Sequence, residues 1–176
     1  MEIILQVADY FLHVGDYLGI IIDAFGPLTY VILFIIIFAE TGLVVTPFLP
    51  GDSLIFIVGA FSGLGFLNVF TSYVVLLSAA ILGDTVNYWF GNKLGPKVFS
   101  RENSRVFNKA YLEKTREFYD KYGAKTIIIA RFVPIVRTFA PFVAGIGKMN
   151  YSTFIKYNVV GAFMWVTSLM LAGYFL

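Results

Sequence analysis

Two hydrophobic segments of this chain are each interrupted in a way that an unbroken helix could not tolerate. The first covers residues 28–52 and the second covers residues 126–147, and each contains two prolines and two ionisable side chains. A proline inside a helix removes a backbone hydrogen bond and kinks the chain. Non-helical backbone persists at membrane depth only where protein buries it or water reaches it. We therefore predict that the two segments face one another within a membrane protein.

The composition excludes an ordinary soluble domain. Apolar residues make up 59% of the 176 residues and charged residues only 14%, whereas globular domains are roughly 45–50% apolar. The chain has no cysteine and a single histidine, which excludes disulfide frameworks, thiolate chemistry and most zinc sites. We expect no cofactor and no metal ion.

The charges are distributed very unevenly along the chain. Residues 1–92 contain no lysine or arginine, whereas residues 93–125 hold nine of the thirteen basic residues. Because these nine lie in one polar stretch between hydrophobic blocks, the pattern follows the positive-inside rule and not that of a nucleic-acid-binding surface. We predict that 93–125 is a cytoplasmic loop, and we expect no nucleic-acid partner.

The hydrophobic pattern predicts helices throughout. Three segments are apolar enough to be membrane spans, namely Ser53–Phe70, Ser72–Phe90 and Thr153–Leu176, whereas the uncharged run Leu28–Ala39 is too short to cross. Within the first of these spans, Gly59 and Gly63 have the spacing of a close helix contact.

Two further helices are expected to be amphipathic. In residues 1–26 an acidic side chain recurs every seven positions beside an apolar surface, which predicts an interfacial helix. A second helix within 93–125 has an aromatic face and a basic face. This helix either lies on an anionic membrane surface or packs on the transmembrane part, and the sequence leaves both possibilities open.

The two broken segments share a Pro-Phe-x-x-Gly motif, at Pro47–Gly51 and at Pro141–Gly145, 94 residues apart. Short hydrophobic segments that are interrupted at corresponding positions of two halves are typical of a transporter's binding site. We therefore predict an internal repeat in which each segment is re-entrant, entering and leaving the membrane on the same side.

The ionisable residues of the two segments have opposite charge. The first contributes Glu40 and Asp52, and the second contributes Arg131 and Arg137. An ionised side chain at the bilayer centre costs a few kcal/mol, so acids and bases there usually pair or line a path. Pro134 lies between the arginines, and the kink it introduces would let both converge on the acids. The alternative is an acid–base network that only holds two halves together.

Several stretches resemble the signatures of one family. These are Phe38–Gly42 with Phe48–Leu54, Gly83–Gly91, Ala130–Thr138, and residues 144–165 with Ala144-Gly145, Met149, Asn158, Gly161 and Trp165. They cover almost the whole chain. In them the sequence is similar to the DedA family of bacterial inner-membrane proteins, the bacterial branch of the VTT-domain superfamily, and among its members to the YqjA/YghB type.

The resemblance implies an all-α polytopic protein of the bacterial inner membrane, with an inverted repeat of two re-entrant segments and a single membrane domain over residues 1–176. Glu40 and Asp52 match the essential membrane acids of the family, and Arg131 and Arg137 match its essential arginines. Supporting positions follow from the motifs and the broken segments: Pro50, Gly51, Asp84, Asn87, Pro134, Pro141, Gly145 and Asn158. Members of this type continue past the position of Gly173-Tyr174 with another hydrophobic helix, so we expect a C-terminally truncated chain.

The resemblance also implies a role in membrane homeostasis linked to the proton-motive force and, in some members, translocation of undecaprenyl phosphate or other phospholipids. The leading hypothesis is a proton-coupled lipid-phosphate transporter or flippase, with the arginines on the headgroup and the acids exchanging protons. Its partners are an anionic lipid and protons, and homo-oligomerisation stays open.

Three other classes of function remain to be weighed. The chain could be a non-transporting assembly or structural factor, or a proton or cation transporter without a lipid substrate. An enzyme acting on lipid phosphates is disfavoured, because the single histidine, His13, lies in the predicted interfacial helix, away from the charged segments. No nucleophile–histidine pair is therefore available.

Overall fold

The structure, a computed structural model, describes residues 25–43, 51–98 and 109–176. These residues form α-helices without any β-strand: α1 (Leu28–Gly42), α2 (Gly51–Gly63), α3 (Val69–Val98), α4 (Lys109–Tyr122), α5 (Thr126–Ala130), α6 (Pro134–Ile146) and α7 (Tyr151–Phe175). The predicted all-α class is confirmed. The predicted interfacial helix lies almost entirely outside the described residues, as do residues 99–108 of the basic loop.

Two of the described helices are long and apolar enough to cross a membrane, over Val69–Leu94 in α3 and over Tyr151–Phe175 in α7. Both coincide with predicted spans, but α3 continues to Val98 and so takes in the start of the predicted basic loop. Side chains cap both helices, since Asn68 Oδ1 accepts from the backbone N–H of Thr71 and Asn150 Oδ1 accepts from that of Ser152.

The predicted span Ser53–Phe70 is wrong, because α2 ends at Gly63 after 13 residues. Gly65 adopts a left-handed φ of 83°. The N–H of Phe66 donates to the carbonyl of Phe61, and the N–H of Gly65 donates to that of Ser62. This is a Schellman ending, in which a glycine satisfies the last carbonyls of a helix. The helix is therefore too short to cross a membrane alone.

Helices from the first part of the chain pack against helices from the second part: α2 packs on α7, and α3 packs on α6. Both contacts depend on glycines whose missing side chains let backbones approach: Gly59, Gly63 and Gly173 between α2 and α7, and Gly91 and Gly145 between α3 and α6. The predicted close contact through Gly59 and Gly63 is therefore confirmed.

The helix contacts indicate a repeat with a different spacing from the one predicted. Gly59 on α2 and Gly145 on α6 hold equivalent places, 86 residues apart, and Gly91 on α3 and Gly173 on α7 do so 82 residues apart. In both contacts each glycine faces the backbone carbonyl that lies three residues before the glycine of the partner helix. The predicted correspondence at 94 residues is wrong, because Gly51 opens α2 whereas Gly145 lies near the end of α6. A re-entrant path for either segment stays a prediction.

We expect Gly91→Ala to destabilise the protein, because a Cβ at this position would collide with the backbone carbonyl of Phe142 on α6. Backbone atoms cannot move aside as a flexible side chain can, so the cost should be about 1–3 kcal/mol. Thermal unfolding in detergent measures it. Gly147→Ala is the matched control, since Gly147 has a φ of −72° that any residue adopts and a less crowded surrounding. Equal stability of the two variants would contradict the close α3–α6 contact.

Helix α4 packs on the transmembrane part through aromatic side chains. Tyr119 donates from its hydroxyl to the carbonyl of Ala140 at 2.8 Å, and Thr126 donates to the carbonyl of Phe118 at 2.8 Å. Burial, and secondarily the carboxylate of Asp84, raises the pKa of the Tyr119 phenol, which therefore stays a neutral donor. Of the two possibilities left open for the amphipathic helix, the described residues favour packing on the protein.

Candidate functional site

Arg137 joins the two broken segments. Its Nη2 donates to Glu40 Oε1 at 2.5 Å and its Nη1 donates to Asp52 Oδ1 at 2.6 Å. The Glu40 side chain is 3% exposed and that of Arg137 is 11% exposed, whereas that of Asp52 is 49% exposed. One guanidinium therefore bridges two carboxylates, one of them buried and the other accessible. The prediction that the acids meet an arginine is confirmed for Arg137.

Arg131 has different partners from those predicted. Its Nη2 donates to Asp84 Oδ2 at 2.5 Å and to Asn158 Oδ1 at 2.6 Å. The side chains of Arg131 and Asp84 are 2% and 4% exposed. The Asn158 amide in turn donates to the carbonyl of Ile81 at 3.1 Å. Asp84 and Asn158, which the sequence marked only as supporting residues, therefore form a second and fully buried network with Arg131.

The break between α5 and α6 gives the two arginines their separate directions. Helix α5 ends at Ala130, Val133 is extended with φ −120° and ψ 102°, and Pro134 opens α6. A proline is well suited to the first helical position because its missing N–H would have no partner there. Arg131 lies at the end of one helix and Arg137 lies in the first turn of the next. The predicted kink at Pro134 is confirmed.

Trp165 lies between the two networks. Its indole Nε1–H donates to Asp52 Oδ1 at 2.8 Å. The guanidinium carbons of Arg131 and Arg137 lie 5.6 Å and 5.0 Å from the centre of its ring, within the range of a cation–π contact. Trp165 is 1% exposed. Its contact with the site was not predicted, although Trp165 lies two turns after Asn158 on the same helix, a spacing that places both side chains on one face.

Asn87 fixes the backbone around the Arg137 bridge. Its side-chain amide donates to the carbonyl of Thr41 at 3.1 Å and to that of Thr138 at 3.0 Å. Thr41 follows Glu40 and Thr138 follows Arg137, so one buried side chain on α3 ties together the two helices that present this ion pair. Asn87 was predicted to support the site, and in the structure it holds the backbone on either side of the Glu40–Arg137 ion pair in place.

The predicted proline and glycine positions contribute in different ways. Gly51 lies against the Glu40 carboxylate, where a Cβ would collide with it. Pro141 lies inside α6 and does not break it; because it has no N–H, it leaves the carbonyl of Arg137 without its usual helical donor. Gly145 lies at the α3–α6 contact, away from the ion pairs. Pro50 lies outside the described residues.

Several buried polar atoms of the site have no hydrogen-bond partner among the described residues: Glu40 Oε2, Asn87 Oδ1, and Arg131 Nε and Nη1. A buried polar atom left unpaired costs about 1–3 kcal/mol, and ordered water commonly satisfies such atoms. The site therefore combines three carboxylates, two guanidinium groups and unused donor and acceptor capacity. With all five groups ionised its net charge is negative.

Comparisons with known proteins agree with this architecture. Residues 49–175 match the family described as the VTT domain. The chain is 54% identical to Protein DedA of Escherichia coli K12 over 177 aligned positions, covering 99% of this chain and 81% of that protein. It is 33% identical to Inner membrane protein YqjA of the same organism, over 84% of this chain and 67% of that protein.

A third relative is an uncharacterized membrane protein of Mycobacterium tuberculosis, 44% identical over 82% of this chain and 64% of that protein. No solved structure matches. The helices and their buried ion pairs define an all-α membrane protein. The chain belongs to the DedA family of VTT-domain proteins. Among these relatives it is more similar to Protein DedA than to YqjA, the type expected from the motifs.

Proposed function

We propose that this protein is a multi-pass protein of the bacterial inner membrane that moves a lipid phosphate, such as undecaprenyl phosphate or a phospholipid, across it, and that this movement is coupled to the proton-motive force. The observation that carries the proposal is the Arg137 bridge. A guanidinium, a group whose planar donors match phosphate, is held between two carboxylates, and one of these, Asp52, is half exposed. The names of the relatives support the membrane location and leave the substrate open.

Proton binding would free Arg137 for the lipid headgroup. Both of its terminal nitrogens are used by Glu40 and Asp52. A protonated carboxyl no longer needs a cation, so protonation of the two acids releases two strong donors in the planar arrangement that matches phosphate. Deprotonation restores the bridge and displaces the phosphate. Arg137 would therefore bind either the two carboxylates or the phosphate.

The charge balance also supports proton binding. Within the part of the chain that the structure describes, Glu40, Asp52 and Asp84 form ion pairs with Arg131 and Arg137 alone. Unpaired charge is expensive inside a membrane, and one bound proton would neutralise the set of five. No catalytic role is assigned, because these groups include no nucleophile–histidine pair.

Purified protein in liposomes tests the proposal. A headgroup-labelled lipid phosphate should cross faster when a pH gradient is imposed, and Arg137→Gln should abolish this transfer. Lys125→Gln removes the same charge from an exposed position and should transfer lipid normally. Proton flux without lipid transfer would instead favour a proton or cation transporter. Neither flux, with stable protein, would favour an assembly factor.

The proposal requires a defined orientation, which the basic loop predicts. Single cysteines at Asn103 or Asn108, in this cysteine-free chain, should react with a membrane-impermeant reagent only after the cells are opened, because the positive-inside rule retains the nine basic residues of 93–125 in the cytoplasm. A cysteine at Asn68, in the turn between α2 and α3, is a comparison site in another connection. Labelling at 103 or 108 in intact cells would contradict the predicted orientation.

A further inference from the structure

Asp52 presents one oxygen atom to two donors. Arg137 Nη1 and Trp165 Nε1 both donate to Oδ1, at 2.6 Å and 2.8 Å. A proton on Asp52 would remove the negative charge of the carboxylate, and the hydrogen bonds from both partners would weaken together. The half-exposed position of Asp52 gives a proton access to it. A change in the protonation of Asp52 therefore affects Trp165 as directly as it affects Arg137.

Trp165 also contacts the second network, which Asp52 does not reach by any described hydrogen bond. The guanidinium carbons of both arginines lie within 5.6 Å of the indole centre. A movement of this ring changes the surroundings of Arg131, whose Nε and Nη1 have no partner among the described residues. The ring is almost fully buried, so close packing limits the positions open to it.

We propose that Trp165 is the positioning residue that couples the protonation of Asp52 to Arg131, so that the two buried networks change together. This inference rests on the proposed function and deepens it. In the deprotonated state the indole N–H and the Arg137 guanidinium hold Asp52, and the ring is fixed against both arginines. When Asp52 takes a proton its hold on the indole weakens, the ring can move, and the second arginine becomes available to the same phosphate as the first.

The indole contacts Asp52 on α2, Arg131 after α5 and Arg137 on α6. Through their ion pairs these arginines also contact Glu40 on α1 and Asp84 on α3. Only Asp52 accepts a hydrogen bond from the indole. Protonation of Glu40 or Asp84 would alter the arginines but would leave the Trp165 N–H bonded. This difference makes the coupling testable at one residue.

Fluorescence provides a direct test, because the chain has two tryptophans. Trp89 is half exposed, on a different helix from Trp165, and Trp89→Phe leaves Trp165 as the single reporter. We expect its emission to change in one step on acidification, when a carboxyl group takes up a proton. Asp52→Asn in this background should remove the step, and Glu40→Gln should retain it. An unchanged step with Asp52→Asn, or none in the parent, would overturn the coupling.

A transport measurement gives the second readout. Trp165→Phe keeps an aromatic ring beside both arginines but cannot donate to Asp52, so lipid transfer driven by a pH gradient should fall at least about tenfold, the effect of losing one hydrogen bond to a charged group. Trp89→Phe should transfer lipid normally. Full gradient response in stable Trp165→Phe would overturn the proposal. Because the fluorescence step needs no transported lipid, failure of the transport assay in the parent protein would count against the proposed function alone.

Discussion

Replacing Glu40 by Gln or Asp52 by Asn is expected to abolish proton-driven lipid transfer while the protein remains folded. Each amide keeps the size of the carboxyl group and an oxygen that can still accept from Arg137, so the free energy of unfolding should fall by no more than about 1–2 kcal/mol. The amides cannot take up a proton, and the exchange between carboxylate and phosphate on Arg137 then has no trigger. Transfer in liposomes and thermal unfolding in detergent, measured on the same samples, are the two readouts.

Arg137→Lys sharpens the same experiment. An ammonium keeps the positive charge but lacks the planar fork that contacts two acceptors at once, and the structure has Arg137 bonded to two carboxylates through different nitrogens. We expect this variant to be inactive as well. The control is Lys121→Arg, which exchanges the same two side chains on the exposed face of α4. If activity in all variants simply follows stability, the network is scaffolding and the transporter proposal fails.

The sequence predicted the meeting of the two broken segments because it follows from charge alone. Glu40, Asp52 and Arg137 are too costly in a membrane to remain apart, and the structure joins them. The partner of Arg131 could not be predicted with the same reasoning. Asp84 lies in a long continuous helix without any break to mark it, and only the packing of α3 against α7 brings Asn158 and Asp84 to the same guanidinium.

The fold was predicted less well where backbone chemistry decides the end of a helix. The apolar run after Ser53 continues past Gly63 without any charge, so hydropathy favours one long span. Gly63 and Gly65 indicate instead that the helix ends here, since a glycine at a helix end readily takes the left-handed conformation seen at Gly65. The repeat was obscured for a similar reason. The Pro-Phe-x-x-Gly motif pairs Gly145 with Gly51, whereas the glycine that holds the equivalent place in the helix contacts is Gly59. The signal these two glycines share is short, a phenylalanine three residues earlier at Phe56 and at Phe142.

Arg131→Ala is expected to have the largest effect on stability, about 3–5 kcal/mol, because it leaves the Asp84 carboxylate buried without its cation. Stability of this variant should recover partly as the pH is lowered, since a protonated carboxyl needs no counter-charge. Removing both charges, with Arg131→Met and Asp84→Leu together, should restore most of the lost free energy, because a buried ion pair is often no more stabilising than apolar side chains of similar volume.

The double variant separates scaffold from function. If Arg131 and Asp84 only hold α3 and α5 together, a stable Met–Leu pair will transport lipid at close to the parent rate. If Arg131 receives the phosphate once Trp165 releases it, the double variant will be folded and inactive, since no apolar pair can bind an anion. The coupling energy from the two single variants and the double variant, measured as the free energy of unfolding, should be large and favourable. A stable and active double variant would remove Arg131 from the transport site and leave Arg137 as its only phosphate ligand.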